Sequence, residues 1–352
     1  VNKSALKPLE SLVGEIKTLI EQSRQQVAVT VNATMTMLYW QIGRRINQEV
    51  LNEQRAEYGR QIVVSLARQL VTEYGRGWSE KQLRHCLRFA ETFPDEEIVS
   101  ALRRQLSWTH IKTLIYIDDE LKRSFYIEMC KLEKWGTRIL QERVNSMLYE
   151  RTAISKKPEE TIRNELDQLG KNGQITPDLV FRDPYFLDFL DLKDSYSEKD
   201  LESAIVAELQ RFIIELGSDF AFLARQKRIT IDNRDYYLDL LFYHRRLKAP
   251  VAIELKLGEF DAAFKGQMEL YLAWLEKYES VEGENPPIGL ILCAGKNPEH
   301  VELLQLHRSN IKVADYFTVL PPKAVLLDKL HKAIAIAQNR LSGGKGESDE
   351  RG

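Results

Sequence analysis

Three ionisable residues stand where packing alone would place apolar side chains: Asp239 in DYYLDLLFYH, and Glu254 and Lys256 in PVAIELKL. Both runs read as apolar strands, and the basic stretch HRRLK between them reads as a turn. The strand period of two puts Ala252, Glu254 and Lys256 on one face, with Val251, Ile253 and Leu255 on the other. With the turn near residues 245–249, antiparallel pairing sets Asp239 level with Glu254 and Lys256. Two carboxylates and one ammonium then converge on one side of a sheet.

Two chemistries fit such a cluster. One is a structural ion pair, Lys256 with Glu254 or with Asp239. Desolvation offsets most of the Coulomb gain of a buried pair, so three ionisable groups on adjacent central strands are costly unless something else binds there. The other is a cation site. Two carboxylates, waters and a phosphate oxygen suit Mg²⁺, or Mn²⁺ in its place. Lys256 then orients or helps deprotonate an attacking water, or offsets charge on the reacting phosphate. Those are the parts that hydrolysis of a phosphodiester needs.

The elements that must carry these residues follow from periodicity and punctuation. Asp183-Pro184 gives a turn ahead of a short apolar element, 185–190. Ser197 caps a helix over 199–215 that Gly217 closes. Strands are predicted over 220–229, 236–243 and 251–257, then a helix over 261–277 and a strongly apolar strand over 288–293. A helix over 300–306, a short strand near 311–314 and a last helix over 323–341 complete an α/β core with helices on both faces of a mixed sheet.

Upstream the pattern is helical. Met35, Leu38, Ile42 and Ile46 share a face, with Arg44 and Arg45 at its edge. A helix over 58–74 ends at Gly75-Arg76-Gly77, and Ser79 with Gln82 outlines a capping box for the next. Helix, glycine turn and capped helix make a helix-turn-helix outline. In the second helix Leu83, Leu87 and Ala90 form a core stripe, while Lys81, Arg84, His85 and Arg88 share the other face. That face is either a solvated helix surface or one that reaches phosphates and base edges of a duplex. The polar, aperiodic stretch 151–160 reads as the edge of a linker.

The segments DPYFLDFLDL, LESAIVAELQRFIIELGSDFAFLARQKRI, YYLDLLFYHRRLKAPVAIELKLGEF and KGQMELYLAWLEK together resemble the YhcG-type PD-(D/E)xK nucleases. LYWQIGRRI, YGRQIVVSLARQL, GWSEKQL and QLSWTHIKTLI are similar to the helical domain usually fused to that nuclease domain. The resemblance implies two domains: an all-α, helix-turn-helix-like N-terminal domain and an α/β restriction-endonuclease-like C-terminal domain with a mixed sheet. It implies Asp239 and Glu254 as metal-ligating acids and Lys256 as the catalytic lysine. Glu202 matches a further acid, a metal ligand direct or through water; as a residue near a helix N-terminus it also simply suits the helix dipole. Gln267 and Tyr271 match a polar pair beside the site, Gln267 as a catalytic-site donor and Tyr271 equally as core. The superfamily's variable proline before the aspartate is Leu238 here. Arg225, Lys227, Arg228, Arg245, Arg246 and Lys248 offer a basic approach, with Arg245 and Arg246 on the hairpin turn expected to flank the site.

Charge sets the remaining limits. A formal net charge of −2 argues against coating nucleic acid by bulk charge. Up to residue 160 there are 25 Lys and Arg against 21 Asp and Glu, and beyond it 25 against 31, so the N-terminal part is the better polyanion surface. Cys86, Cys130 and Cys293 are scattered without a CxxC pair, which argues against structural zinc and disulfides. No run is long and apolar enough for a membrane span or a signal segment, which predicts a cytoplasmic protein. The expected layout is a helical domain over 1–155, a linker over 156–180, a nuclease domain over 181–342 and a disordered tail over 343–352. The expected function is Mg²⁺- or Mn²⁺-dependent cleavage of DNA, most simply double-stranded, docked by the N-terminal helices. Self-association is left open, and a catalytically inactive nucleic-acid-binding regulator is the alternative.

Overall fold

Glycine and a run of aromatic residues explain how the N-terminal helices meet. The computed structural model describes residues 3–52, 56–193 and 195–343. Helix α1 (Lys3–Asn52) is followed by α2 (Ala56–Tyr74), α3 (Glu80–Thr92), α4 (Glu96–Leu102), α5 (Trp108–Leu114), α6 (Glu120–Glu133) and α7 (Thr137–Asn145). The chain divides into two compact units, Val1–Glu142 and Arg143–Gly352. In the first, a Cβ on Gly43 would lie 1.9 Å from the Cys86 carbonyl oxygen, so α1 and α3 cross at a distance that only glycine permits. Trp40, 1% exposed, donates its indole N–H to the Phe93 carbonyl at 2.7 Å. Leu83, Cys86, Phe89 and Ala90 bury the inner face of α3. Gly75, at φ 90°, turns the chain out of α2 into a short 3₁₀ turn, Arg76–Trp78. Ser79 is the N-cap of α3, but its side chain makes no capping hydrogen bond, so the expected box is absent.

The second unit continues with α8 (Leu148–Arg151), α9 (Glu159–Asn172), α10 (Pro177–Val180), strand β1 (Tyr185–Phe186), α11 (Glu198–Ala207) and α12 (Leu209–Leu216). Strands β2 (Phe220–Ile231), β3 (Arg234–His244) and β4 (Ala249–Glu259) lead to α13 (Ala262–Tyr278), β5 (Ile288–Gly295), α14 (Pro298–Leu303), β6 (Ile311–Phe317) and α15 (Lys323–Gly343). The six strands lie in the order β1-β6-β5-β4-β3-β2. β2, β3 and β4 are antiparallel, and β4, β5, β6 and β1 run parallel, so the sheet is mixed as expected. From Ala249 to Leu255 every residue of β4 is buried, which marks it as a central strand covered on both faces. Val251, Ile253 and Leu255 pack with Leu201 and Ile205 of α11 and Phe212 of α12. Ala252 packs with Met268, Leu272 and Leu275 of α13 on the opposite face.

Two sequence expectations change. The stretch 156–180 carries α9 and α10, with Ile162, Leu166, Leu169, Leu179 and Val180 buried. Those apolar residues recur at helical spacing, and the polar residues before them misled the reading. Arg151 itself is buried: it meets Glu215 at 2.5 Å and its guanidinium lies 3.8 Å from the Phe186 ring centroid. The expected tail lies outside the described residues beyond Gly343. No described helix is long and apolar enough to cross a membrane.

Gly43→Ala forces α1 and α3 apart. It should lower the free energy of the first urea unfolding transition of the full chain by about 1–3 kcal/mol, the usual cost of overpacking, and shift its midpoint down. An unchanged midpoint would show that the helices slide without penalty.

Candidate active site

The antiparallel ladder between β3 and β4 runs from His244↔Ala249 to Leu240↔Ile253 and then stops, although both strands continue. A ladder that stops leaves backbone donors to satisfy. Here the carboxylates do it. Asp239 Oδ2 accepts the Leu255 N–H at 2.9 Å, and Glu254 Oε1 accepts the Asp239 N–H at 3.3 Å. The two acids therefore sit level at the fork, the arrangement that strand alternation predicts. Lys256 Nζ lies 3.2 Å from Glu254 Oε2 and 5.3 Å from the Phe264 ring centroid of α13.

The third acid comes from the other face. Glu202, 4% exposed on α11, pairs through Oε1 with Arg225 of β2. Its Oε2 accepts from Gln226 Nε2 at 2.8 Å, and the same nitrogen donates to Asp239 Oδ1 at 3.0 Å. Gln226 thus ties Glu202 to Asp239, a role the sequence did not announce. It stands at φ 47°, the left-handed region, and glutamine has no special preference for that conformation. No local signal marks it.

Burial sets the protonation states. It pushes Glu254 up to about 7, with repulsion from Asp239 adding to it; the Lys256 ammonium only partly opposes this. Burial raises Asp239 too, against the Leu255 N–H and Lys256. For Lys256, burial works against the charge, but Glu254, Glu198 and Asp239 together hold it above the ordinary lysine range. It is an ammonium at neutral pH, suited to offsetting phosphate charge and unsuited to taking a proton.

The other expected residues divide. Gln267 of α13 donates to the Tyr271 hydroxyl at 2.7 Å, and that hydroxyl donates to the Tyr237 carbonyl at 3.4 Å. Tyr271 is buried, and its hydroxyl, raised to about 12 chiefly by burial, also feels Glu254 and Asp239. Arg245 and Arg246 are corrected. Their turn closes the far end of the β3–β4 ladder, roughly 17–20 Å from Asp239 along the strand, and Arg246 pairs with Asp219 at 2.6 Å. Adjacency in sequence suggested the wrong end, because the hairpin puts its turn opposite the fork. On α3, Lys81 and Arg84 are exposed, with Arg84 2.6 Å from Glu80. His85 meets the Tyr116 hydroxyl at 2.9 Å, while Arg88 is turned onto Asp118 and the Ile115 carbonyl.

Among the described residues no three His, Cys, Asp or Glu side chains close into a ready-made metal cage. Mg²⁺ does not require one: it keeps several waters and takes one or two carboxylates. Half-buried Asp239 and buried Glu254, which repel each other, with Glu202 one amide away, fit such an ion. The cysteines do not compete, since all three are buried thiols that burial pushes up to about 12.

Because Glu254 is raised in the fold, its proton stabilises the folded state fully below the ordinary glutamate value of 4.5, and that contribution is lost as pH rises through about 7. Glu254→Gln should therefore have a higher unfolding free energy than wild type at pH 8 in EDTA, by on the order of 1–3 kcal/mol, with the gap closing towards pH 4.5. A gap that is constant with pH would refute the assignment.

Comparison with known proteins follows the same division of the chain. The family model for the YhcG PDDEXK nuclease domain matches residues 178–331, and the one for the DUF1016 N-terminal domain matches residues 15–151. The Escherichia coli (strain K12) protein "Putative nuclease YhcG" is 34% identical, across 91% of this chain and 93% of its own length. Among solved structures, a repair endonuclease from Pyrococcus abyssi aligns at 21% identity and a TM-score of 0.26, and EndoMS in its apo form at 18% and 0.25. Each alignment covers 37% of this chain and about half of the solved one, so the likeness is local. Sequence, fold and domain order agree, and the chain belongs to the YhcG family of PD-(D/E)xK nucleases.

Proposed function

We propose that this nuclease cuts DNA with the help of a divalent cation held at the β3–β4 fork. The observation that carries the reading is the pairing of half-buried Asp239 with buried Glu254, two carboxylates that repel each other beside an ammonium. Asp239, Glu254 and Glu202 would hold the ion. Bound there, Mg²⁺ or Mn²⁺ would acidify water and screen the phosphate charge. Lys256, kept charged by its neighbours, stabilises negative charge as it grows on the phosphate. Tyr271 backs the site and holds Gln267, whose amide would be the donor to substrate or to a bound water. A supercoiled plasmid, single-stranded DNA and RNA, each incubated with the full chain and Mg²⁺ or Mn²⁺, test the reading. Asp239→Asn and Lys256→Ala should each slow cleavage at least ~100-fold, and EDTA should stop it. Cleavage that survives both substitutions or EDTA would sink the assignment.

The N-terminal unit supplies the docking surface in this proposal. Lys81, Arg84 and His85 lie on the outer side of α3, and burial, with Lys112 and Lys81 adding to it, disfavours the charged form of His85. Arg88 would have to exchange Asp118 for a phosphate to join them. Such a surface binds duplex DNA by its backbone and releases counterions. In an Asp239→Asn background, Lys81→Glu with Arg84→Glu should weaken binding to a labelled duplex. The slope of log affinity against log salt should fall by about 1–2. An unchanged slope would place the docking surface elsewhere.

A further inference from the structure

β2 changes hands at Gln226. Arg225 meets Glu202 and Ser203 on the α11 side, whereas Lys227 meets Glu279 and the Trp274 ring on the α13 side. Two residues apart in a regular strand, they would share a face. Gln226 between them stands in the left-handed region, which non-glycine residues rarely adopt. What that conformation achieves is the placement of one amide group between two acids of the fork.

The oxygens involved are informative. Glu202 Oε1 is taken by Arg225, and Asp239 Oδ2 by the Leu255 N–H. Oε2 of Glu202 and Oδ1 of Asp239 remain, and these are the two that Gln226 Nε2 joins, at 2.8 and 3.0 Å. One NH₂ group gives a proton to each and so does with two hydrogen bonds what a shared cation does with charge. A cation bridging those oxygens would face N–H donors, which repel it. A half-turn of the amide about its last torsion exchanges Oε1 for Nε2 and leaves the backbone in place. Amide oxygens are ordinary ligands for hard cations.

We infer that Gln226 is a member of the cation site, its amide donating to Glu202 and Asp239 without metal and turning its oxygen to the ion with it. This rests on the proposal that a divalent cation binds at the fork. The opposing possibility is a placeholder that leaves when the ion arrives.

Titration of the full chain with Mn²⁺, followed by calorimetry and by electron paramagnetic resonance, separates the two. Glycine accepts the left-handed backbone, so Gln226→Gly removes the amide with little strain. It should bind Mn²⁺ about tenfold more weakly than wild type. Gln226→Glu keeps oxygens and loses the donor. It should bind Mn²⁺ at least as tightly as wild type, melt below wild type in EDTA, and recover that deficit when Mn²⁺ is added. Asp239→Asn should bind little or none. Wild-type affinity in Gln226→Gly, or a loss in Gln226→Glu equal to that in Gln226→Gly, overturns the inference while the cation site stands. A wild-type chain that takes up no Mn²⁺ overturns both.

Discussion

The site depends on an interrupted hydrogen-bond ladder. β3 and β4 pair for five residues on each strand and then part, and a parted ladder buried in a sheet would leave N–H groups without acceptors. Asp239 and Glu254 supply the acceptors from their side chains. The same two carboxylates hold the fork together and face the space it opens, so structure and chemistry cannot be separated at these positions. The surrounding elements then have defined tasks. α11 delivers Glu202 from one face, α13 lays Phe264 and Tyr271 behind the fork from the other, and β2 bends at Gln226 to join the acids.

Charge at the fork is shared unevenly. Glu202 has Arg225 and Glu254 has Lys256, whereas Asp239, between them, is bound by two neutral donors, the Leu255 N–H and the Gln226 amide. Burial and mutual repulsion keep Glu254 partly protonated near neutrality. Three acids set against two cationic partners leave one negative charge uncompensated when all three ionise.

The N-terminal unit follows a different constraint. Its helices are fixed by close approach: Gly43 lets α1 lie against the Cys86 carbonyl of α3, and Trp40 pins its indole N–H on Phe93. With Leu83, Cys86, Phe89 and Ala90 committed to that contact, the outer residues of α3 are left to charge. Arg88 pairs with Asp118, so part of the charge on that outer row is already matched within the unit.

Alternation and turn length by themselves place Asp239 level with Glu254, and they give the order of strands and helices, because the register of a short hairpin is a local property. The family resemblance adds Glu202, whose place on α11 the fold brings to Asp239 through Gln226. Other features lie beyond local pattern. The turn with Arg245 and Arg246 falls at the wrong end of the ladder, Arg151 is buried against Glu215, and 156–180 packs as helix. Each depends on a partner far away in sequence. Gln226 is the clearest case: its left-handed backbone is unusual for its residue type, and its amide meets two carboxylates that arrive from α11 and β3. Local chemistry determined which residues could form a site, and long-range packing decided which of them meet.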